Sequence, residues 1–216
     1  MSKTALLIID MQNDFCLPGA PFEVFGAMKV STKIKEVLDA CRKHKLPIVH
    51  VFRFYRADGS DVELTRYGGF VKAGTSLVRG TKSAEILDDL KPIDGEYLVV
   101  KQRWSAFFQT ELDLLLRRLG VDHVVVTGVQ TPNCIRGTVW DANSLDYEVT
   151  VLTDGTGAKT DEVHQANLFD MKNIGIQIMS SEDFINSLPN PKRENHVAKI
   201  RKDIESQKIV PEPSRY

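Results

Sequence analysis

The chain has 216 residues, of which 42% are hydrophobic and 26% charged, the ordinary composition of one globular domain with a sizeable core. Its formal net charge of −1 excludes the basic excess typical of nucleic-acid-binding proteins, and its apolar N-terminal run is too short for a signal peptide or a membrane span. Three cysteines without a CxxC pair fit neither a disulfide framework nor a cysteine zinc site, so we expect a reducing, cytoplasmic compartment.

The N-terminal part of the chain predicts two strands around one helix. Ala5–Ile9 is a continuous apolar run, typical of a strand buried on both faces of a parallel sheet. A helix is predicted from about 31 to 45, and residues 48–52 form the second strand. The helix has one apolar face: Ile34, Val37, Leu38 and Cys41. Residues 55–81 are rich in Gly, Arg and Asp without clear periodicity, and a loop of this length usually serves function.

The middle of the chain continues the alternation of strands and helices. Ser83 opens a short helix, and residues 97–100 form the third strand. The next helix begins at Thr110 and ends at Gly120. Its buried stripe is predicted to consist of Leu112, Leu115, Leu116 and Leu119. Strand four covers 123–127 and is followed by a helix that starts at Thr131-Pro132.

The C-terminal part adds a strand at 149–152, a helix from Thr160 to about Asn173 that Gly175 stops, and a strand at 176–179. Strands alternating with helices at this spacing predict an α/β fold with three α-β-α layers and a six-stranded, mainly parallel, doubly wound sheet.

We predict a domain of residues 1–190 and a charged extension of residues 191–216. Val197, Ile200 and Ile204 form a narrow helical stripe in the extension. Two interpretations stay open: a solvated terminal helix, or an arm that docks on a neighbouring subunit.

Three chemically reactive side chains follow or end predicted strands. Asp10 follows strand one, Lys101 follows strand three, and Cys134 lies just beyond strand four. Because ligands bind outside the carboxyl ends of parallel strands, we expect these side chains to meet at one edge of the sheet.

Cys134 is the best candidate nucleophile. Thr131 is a good N-cap and Pro132 is favoured at the first helical position, so the cysteine falls in the first turn. Free backbone N–H groups and the helix dipole stabilise a thiolate there, and the same groups could hold an oxyanion. Most free cysteines are buried apolar residues, and we interpret Cys41 and Cys16 in that way.

Asp10 and Lys101 are candidate catalytic residues only because we expect them to lie near the thiol. Alone, Asp10 would be a turn residue and Lys101 a surface lysine. Beside a thiol, the carboxylate becomes a candidate general base, and the ammonium would favour the thiolate and keep the carboxylate charged.

Three segments of the sequence resemble the signature segments of isochorismatase-like cysteine hydrolases: Leu7–Phe15, Val100–Phe107 and Gly128–Cys134. That family includes nicotinamidases, N-carbamoylsarcosine amidohydrolase and ureidoacrylate hydrolases. The resemblance is collinear, runs from about residue 4 to 180, and is specific because each segment carries one of the three reactive residues. A later stretch, Asn167–Gly175, resembles a plant subgroup named probable inactive nicotinamidases.

The resemblance implies a mechanism and a site. Cys134 attacks a small amide, ureide or carbamoyl carbonyl, Asp10 relays the proton to the leaving amine, and Lys101 supports the charges. It also implies a cis peptide at Val129–Gln130, with the N–H groups of Gln130 and Cys134 as the oxyanion hole. We assign four residues to the substrate site: Phe15, Arg53, Trp104 and Val129. A homo-oligomer, dimer or tetramer, is expected from the family, with no nucleic-acid or membrane partner.

The sequence departs from nicotinamidases near the end of strand two. Those relatives bind a metal through an Asp-x-His pair and a further His, whereas here residues 50–56 offer His50 without that pair. We therefore predict no metal and no cofactor. Arg53 and Arg56 could instead bind a substrate carboxylate, or be solvated loop charges.

Rival functions are a Cys–His hydrolase that uses His164 and Asp154, a nicotinamidase-type amidase, and a non-catalytic binding protein that keeps the fold. Cys134 argues against a true isochorismatase, which lacks the nucleophilic cysteine. Serine hydrolase and dinucleotide-binding functions are excluded because the chain has no GxSxG or GxGxxG motif.

Overall fold

The computed structural model describes residues 3–74, 76–190 and 196–206. Its six strands form one parallel sheet in the order β3-β2-β1-β4-β5-β6. Their bounds are β1 Lys3–Ile9, β2 Ile48–Arg53, β3 Tyr97–Lys101, β4 Val121–Val129, β5 Glu148–Gly157 and β6 Gln177–Met179. Strand order steps outward from β1 in both directions, which confirms the predicted doubly wound arrangement and puts a crevice at the carboxyl end of β1.

Helices cover both faces of the sheet, as the alternating pattern predicted. Their bounds are α1 Asn13–Cys16, α2 Ala27–Lys43, α3 Leu64–Ala73, α4 Leu112–Arg118, α5 Arg136–Ser144, α6 Asp161–Asn173, α7 Ser181–Ser187 and α8 His196–Glu205. Helices α2 and α7 pack into the core on one face, and α4, α5 and α6 into the core on the other. The apolar face predicted for α2 is fully buried, because it is the stripe that meets the sheet.

The structure differs from the prediction in the segment 55–81, which contains helix α3 rather than only a loop. The sequence pattern did not predict this helix because it has no apolar stripe. Leu64 and Val71 are exposed, and Phe70 is its buried residue. Ser83 lies in a 3₁₀ turn, Lys82–Ala84, in place of the predicted short helix.

Smaller differences concern boundaries and burial. In α4 only Leu112 and Leu116 are fully buried, while Leu115 and Leu119 pack at the rim of the core. Thr160 is the N-cap of α6, since its hydroxyl accepts a hydrogen bond from the Val163 N–H, and Gly175 follows with φ 95°, both as predicted.

The C-terminal segment is described only in part. Residues 191–195 and 207–216 of the predicted extension lie outside the described residues, so the boundary after residue 190 stays a prediction. In α8, Val197 and Ile200 line a groove shared with Ile176 and Ile178 of the same chain. None of the described helices is both long and apolar enough to cross a bilayer.

Candidate active site

The carboxyl ends of four neighbouring strands bring four reactive side chains together. Asp10 follows β1, Arg53 ends β2, Lys101 ends β3, and Cys134 follows β4. Arg53 and Lys101 are register partners on adjacent strands. All four side chains are buried, with at most 2% of any residue exposed. The expectation that the three sequence candidates lie at one edge of the sheet therefore agrees with the geometry, which adds Arg53 to the group.

Asp10 and Lys101 form a buried ion pair. The Lys101 Nζ donates to Asp10 Oδ2 at 2.7 Å and to the backbone carbonyl of Arg103 at 3.1 Å. Burial and the neighbouring Arg53 lower the pKa of Lys101, although Asp10 opposes that shift. The second carboxylate oxygen, Oδ1, is buried without a hydrogen-bond partner among the described residues. One oxygen of Asp10 is thus held by the lysine, and the other is available to take or give a proton.

Arg53 lies between this ion pair and the thiol. Its Nη2 donates to Cys134 Sγ at 3.3 Å, and its Nε is 3.8 Å from Asp10 Oδ2. Burial disfavours the guanidinium charge, but the neighbouring Cys134 and Asp10 outweigh it, and the pKa of Arg53 is raised well above its ordinary value. The positive charge next to the sulfur therefore comes directly from Arg53.

Glu63 and Tyr55 complete the buried network, and neither was identified from the sequence. The Arg53 Nη1 donates to Glu63 Oε1 and to the Tyr55 hydroxyl, which in turn donates to Glu63 Oε2. Tyr55 could have been found, since it lies two residues after Arg53 and alternate residues of an extended chain share one side. Glu63 carries no such signal, because it ends an irregular loop just before α3.

The turn that carries Cys134 differs from the prediction in its cap. Residues Thr131–Ile135 form a π-helical turn before α5, and Gln130, not Thr131, is the N-cap. The Ile135 N–H donates to the Gln130 carbonyl at 3.1 Å. Cys134 still lies in the first turn, and the implied cis peptide between Val129 and Gln130 is present.

Thr131 does not cap the helix because its hydroxyl contacts His164 instead. His164 Nδ1 lies 2.8 Å from Thr131 Oγ1, and its Nε2 lies 2.9 Å from the Thr153 carbonyl. A carbonyl can only accept, so Nε2 carries a proton, and in the neutral imidazole Nδ1 accepts from the Thr131 hydroxyl. Asp154 contacts Ser181 at 2.8 Å rather than His164. The rival Cys–His arrangement is therefore not the one that this structure holds.

We expect Thr131→Val to lower the free energy of unfolding by about 1–3 kcal/mol, because the buried Nδ1 of His164 would lose its partner. Chemical denaturation of the purified variant would measure this. Thr32→Val, at an exposed position of α2, is the matched control and should stay within about 0.5 kcal/mol. Equal effects of the two substitutions would contradict the expectation.

Gly128 fits the close approach of β4 to β1 immediately before the site. Its φ is 114°, and a Cβ built there would lie 2.0 Å from the Ile9 carbonyl oxygen. A side chain would separate the ends of the two strands, which carry Asp10 and the Cys134 turn. Glycine at this position therefore allows the two halves of the site to meet.

The remaining predicted residues have varied surroundings. Phe15 is buried, with its ring 6.3 Å from that of Phe22, and Val129 is fully buried beside the cis peptide. Trp104 is 44% exposed, and Arg56 is also exposed, on the loop before α3. Cys16 and Cys41 are both buried, as predicted, and burial raises the pKa of each thiol to about 12. The substrate-binding role of the four assigned residues stays a prediction.

A cleft of about 630 Å³ opens beside the buried network. Its aromatic lining consists of Trp104, Phe108 and Trp140, and its polar lining includes Glu63, Arg103, Asn133 and Arg136. Asn133 precedes Cys134, and Glu63 contacts Arg53, so the cleft lies directly next to the thiol without including it. Among the described residues, no three His, Cys, Asp or Glu side chains form a cluster that could hold a metal ion.

The Arg53–Glu63 contact predicts a pH dependence of stability. Burial favours the neutral acid, but Arg53 and the Tyr55 hydroxyl outweigh it and lower the pKa of Glu63 below its ordinary value of 4.5. A lowered folded-state pKa stabilises the fold above about pH 4.5, and the contribution is lost as the pH falls through the folded-state pKa.

At pH 7, Glu63→Gln should therefore lower the free energy of unfolding by roughly 3–5 kcal/mol, because Arg53 loses the buried carboxylate that it contacts directly and keeps only Asp10, 3.8 Å away, as an anion. The difference from wild type should shrink on acidification, which urea denaturation at pH 7, 5 and about 3.5 would measure. A difference that is the same at every pH would contradict the assignment.

Several known proteins are similar to this chain over most of its length. The model of the isochorismatase domain matches residues 4–183. A probable inactive nicotinamidase of Arabidopsis thaliana is 45% identical over 179 residues, which is 81% of this chain and 91% of the relative. A ureidoacrylate amidohydrolase of Caulobacter vibrioides is 34% identical over 205 residues, with 84% of this chain and 89% of the relative covered.

A solved structure is similar over nearly its whole length. An isochorismatase family protein from Desulfovibrio vulgaris has a TM-score of 0.83 and 47% identity, and the match covers 87% of this chain and 99% of that protein. The resemblance found in the three sequence segments is thereby confirmed.

Proposed function

The chain belongs to the isochorismatase family, and on that premise we propose that it is a cysteine-dependent hydrolase of a small amide, ureide or carbamoyl C–N bond. Cys134 is the nucleophile, Asp10 the acid and base, and Lys101 the group that holds Asp10. One arrangement carries the proposal. Lys101 and Asp10 form a buried ion pair that leaves the Oδ1 of Asp10 without a hydrogen-bond partner among the described residues, and the Arg53 guanidinium lies next to both this pair and the thiol.

The proposed reaction has two halves. In the first, Cys134 gives its proton to Asp10 Oδ1 as the sulfur attacks the carbonyl carbon, and the N–H groups of Gln130 and Cys134 bind the oxyanion. The C–N bond then breaks, and the nitrogen takes the proton from Asp10. In the second, a water molecule gives a proton to Asp10 and attacks the thioester or thiocarbamate, the C–S bond breaks, and the proton returns to sulfur.

We propose that the substrate carries a carboxylate, bound by Arg103 in the cleft. The Arg103 guanidinium donates to the backbone carbonyls of Asp61 and Gln102. Both of these acceptors are neutral carbonyls and no carboxylate of the described residues is paired with the guanidinium, so its charge is available to an anion. The aromatic side chains of Trp104, Phe108 and Trp140 suit a small planar molecule beside that charge.

A binding protein without turnover is the second candidate. Its support is the 2% exposure of Cys134, which is not among the residues lining the cleft. The name of the Arabidopsis relative, a probable inactive nicotinamidase, points in the same direction for that protein. The ureidoacrylate amidohydrolase is named for hydrolysis, and it supports the first candidate.

Ammonia release separates the two candidates. Purified protein would be assayed with a panel of amides, ureides and carbamoyl acids that includes nicotinamide and ureidoacrylate, with Cys134→Ala as the control. We expect release from one or more carboxylate-bearing compounds and none from the control. If no panel compound releases ammonia but calorimetry shows that one of them binds, the binding protein would be favoured.

A further inference from the structure

Arg53 is the cation in direct contact with the thiol. Its Nη2 donates to Cys134 Sγ at 3.3 Å, while the hydrogen bonds of Lys101 Nζ go to Asp10 and to the Arg103 carbonyl. The two buried cations therefore hold different partners: Lys101 holds the carboxylate, and Arg53 holds the sulfur. Both are fully buried, where charge–charge interactions are screened far less than in water.

The guanidinium is fixed on several sides. Nη1 donates to the Tyr55 hydroxyl at 3.0 Å, to the Gln102 carbonyl at 3.1 Å and to Glu63, and Nη2 donates to the Arg103 carbonyl at 2.8 Å. Of the five N–H groups of arginine, only that on Nε is without an acceptor within hydrogen-bond distance among the described residues. No parallel pair of N–H groups is left for a substrate carboxylate. The geometry therefore favours the sulfur, not the substrate, as the partner of Arg53.

We propose that Arg53 is a further catalytic residue, which stabilises the Cys134 thiolate that forms when the thiol proton moves to Asp10. This inference rests on the proposed function. During attack, the sulfur electron pair forms the C–S bond, and its negative charge passes to the carbonyl oxygen. Before that bond forms, the charge lies on the sulfur, 3.3 Å from Nη2. The guanidinium lowers the free energy of this ionised state and so raises the fraction of reactive sulfur at neutral pH.

Glu63 and Tyr55 act as positioning residues for Arg53. Glu63 accepts from both the guanidinium and the tyrosine hydroxyl, and it is also a wall residue of the cleft. It therefore connects the irregular loop before α3 to the sulfur through the side chain of Arg53. Loosening this tie should change the ionisation of Cys134 even though Glu63 does not touch the sulfur.

The test is the pH dependence of Cys134 alkylation by iodoacetamide, which reads the thiolate fraction without any substrate. Cys134→Ala gives the background from Cys16 and Cys41, which is small near neutral pH because both are buried with pKa values raised to about 12. In Arg53→Met we expect the pH of half-maximal rate to rise by at least about one unit. The rate would then fall at least about tenfold at pH values below both half-maximal points, while the rate at high pH would be unchanged.

Tyr55→Phe and Arg53→Lys keep the buried positive charge and cover the case in which Arg53→Met does not fold, which circular dichroism would show. Each should shift the half-maximal pH in the same direction by a smaller amount. An unchanged half-maximal pH in the folded variants would overturn the inference. Faster alkylation of Arg53→Met at every pH would also overturn it, because Arg53 would then only block access to the sulfur.

The alkylation experiment and the ammonia-release experiment test the two proposals independently. If wild type releases ammonia and Cys134→Ala does not, but the half-maximal pH is insensitive to Arg53, the hydrolase proposal stands and the role of Arg53 is wrong. If the pH shift is found but no panel compound is hydrolysed, Arg53 does stabilise the thiolate and the proposed function fails.

Discussion

Asp10→Asn is expected to lower kcat for ammonia release by about 10²–10⁴-fold, the usual contribution of one acid–base group. Asparagine has nearly the same shape, and its oxygen can still accept from the Lys101 Nζ, which lies 2.7 Å from Oδ2 in the wild type. It cannot take the thiol proton or pass it to the leaving nitrogen. Steady-state ammonia release from the panel compound that wild type hydrolyses would measure the loss.

Asp154→Asn is the matched control for that experiment. Asp154 accepts from the backbone N–H and the hydroxyl of Ser181 at the start of α7, away from the proposed chemistry. Its substitution should leave kcat within a factor of about two, since Asp154 contacts no reacting atom. A loss in Asp154→Asn that matches the loss in Asp10→Asn would contradict the assignment of Asp10 and revive the Cys–His hypothesis.

Lys101→Met is expected to lower the free energy of unfolding by about 3–5 kcal/mol and to abolish measurable turnover. It removes the ammonium that contacts Asp10 Oδ2 and leaves a fully buried carboxylate with only the Arg53 Nε, 3.8 Å away, as a cation. Urea denaturation at pH 7 would give the stability change, and Lys91→Met serves as the control. Lys91 is half exposed in a surface ion pair, so the control should leave the free energy of unfolding almost unchanged.

The double variant Asp10→Asn/Lys101→Met tests whether the effect comes from the ion pair. With no carboxylate left unpaired, it should recover part of the stability lost in Lys101→Met, whereas independent sites would simply add their losses. A Lys101→Met protein as stable as the Lys91→Met control would contradict the buried pairing.

The positions of Asp10, Lys101 and Cys134 could be predicted because each follows or ends a strongly apolar strand. The carboxyl ends of parallel strands share one edge of the sheet, so strand order alone places the three side chains near one another. The sheet was equally readable, since runs such as Ala5–Ile9 are buried on both faces.

The network around Arg53 could not be predicted because its partners come from segments without periodicity. Glu63 ends a loop, and the two carbonyls that accept from Arg53 belong to Gln102 and Arg103 after β3. From the sequence, Arg53 was assigned to the substrate site. Its pairing with Glu63 could not be predicted because it depends on how residues 55–63 fold back.

The cap of the nucleophile turn illustrates the same limit. Thr131 is followed by Pro132, a strong local signal for an N-cap, yet its hydroxyl bonds to His164, which is 33 residues further along the chain. A tertiary contact replaced the local one, since both groups are buried and each needs a partner. Helix α3 was missed for a related reason, because its apolar residues Leu64 and Val71 face solvent.

The most direct test of the account is intact-protein mass spectrometry of the enzyme mixed with each panel compound and quenched in acid. A cysteine hydrolase should show an added mass equal to the acyl or carbamoyl part of a hydrolysed compound. Peptide mapping should place that mass on Cys134, and it should be absent from Cys134→Ala. Ammonia release that persists in Cys134→Ala without any adduct would contradict the central claim.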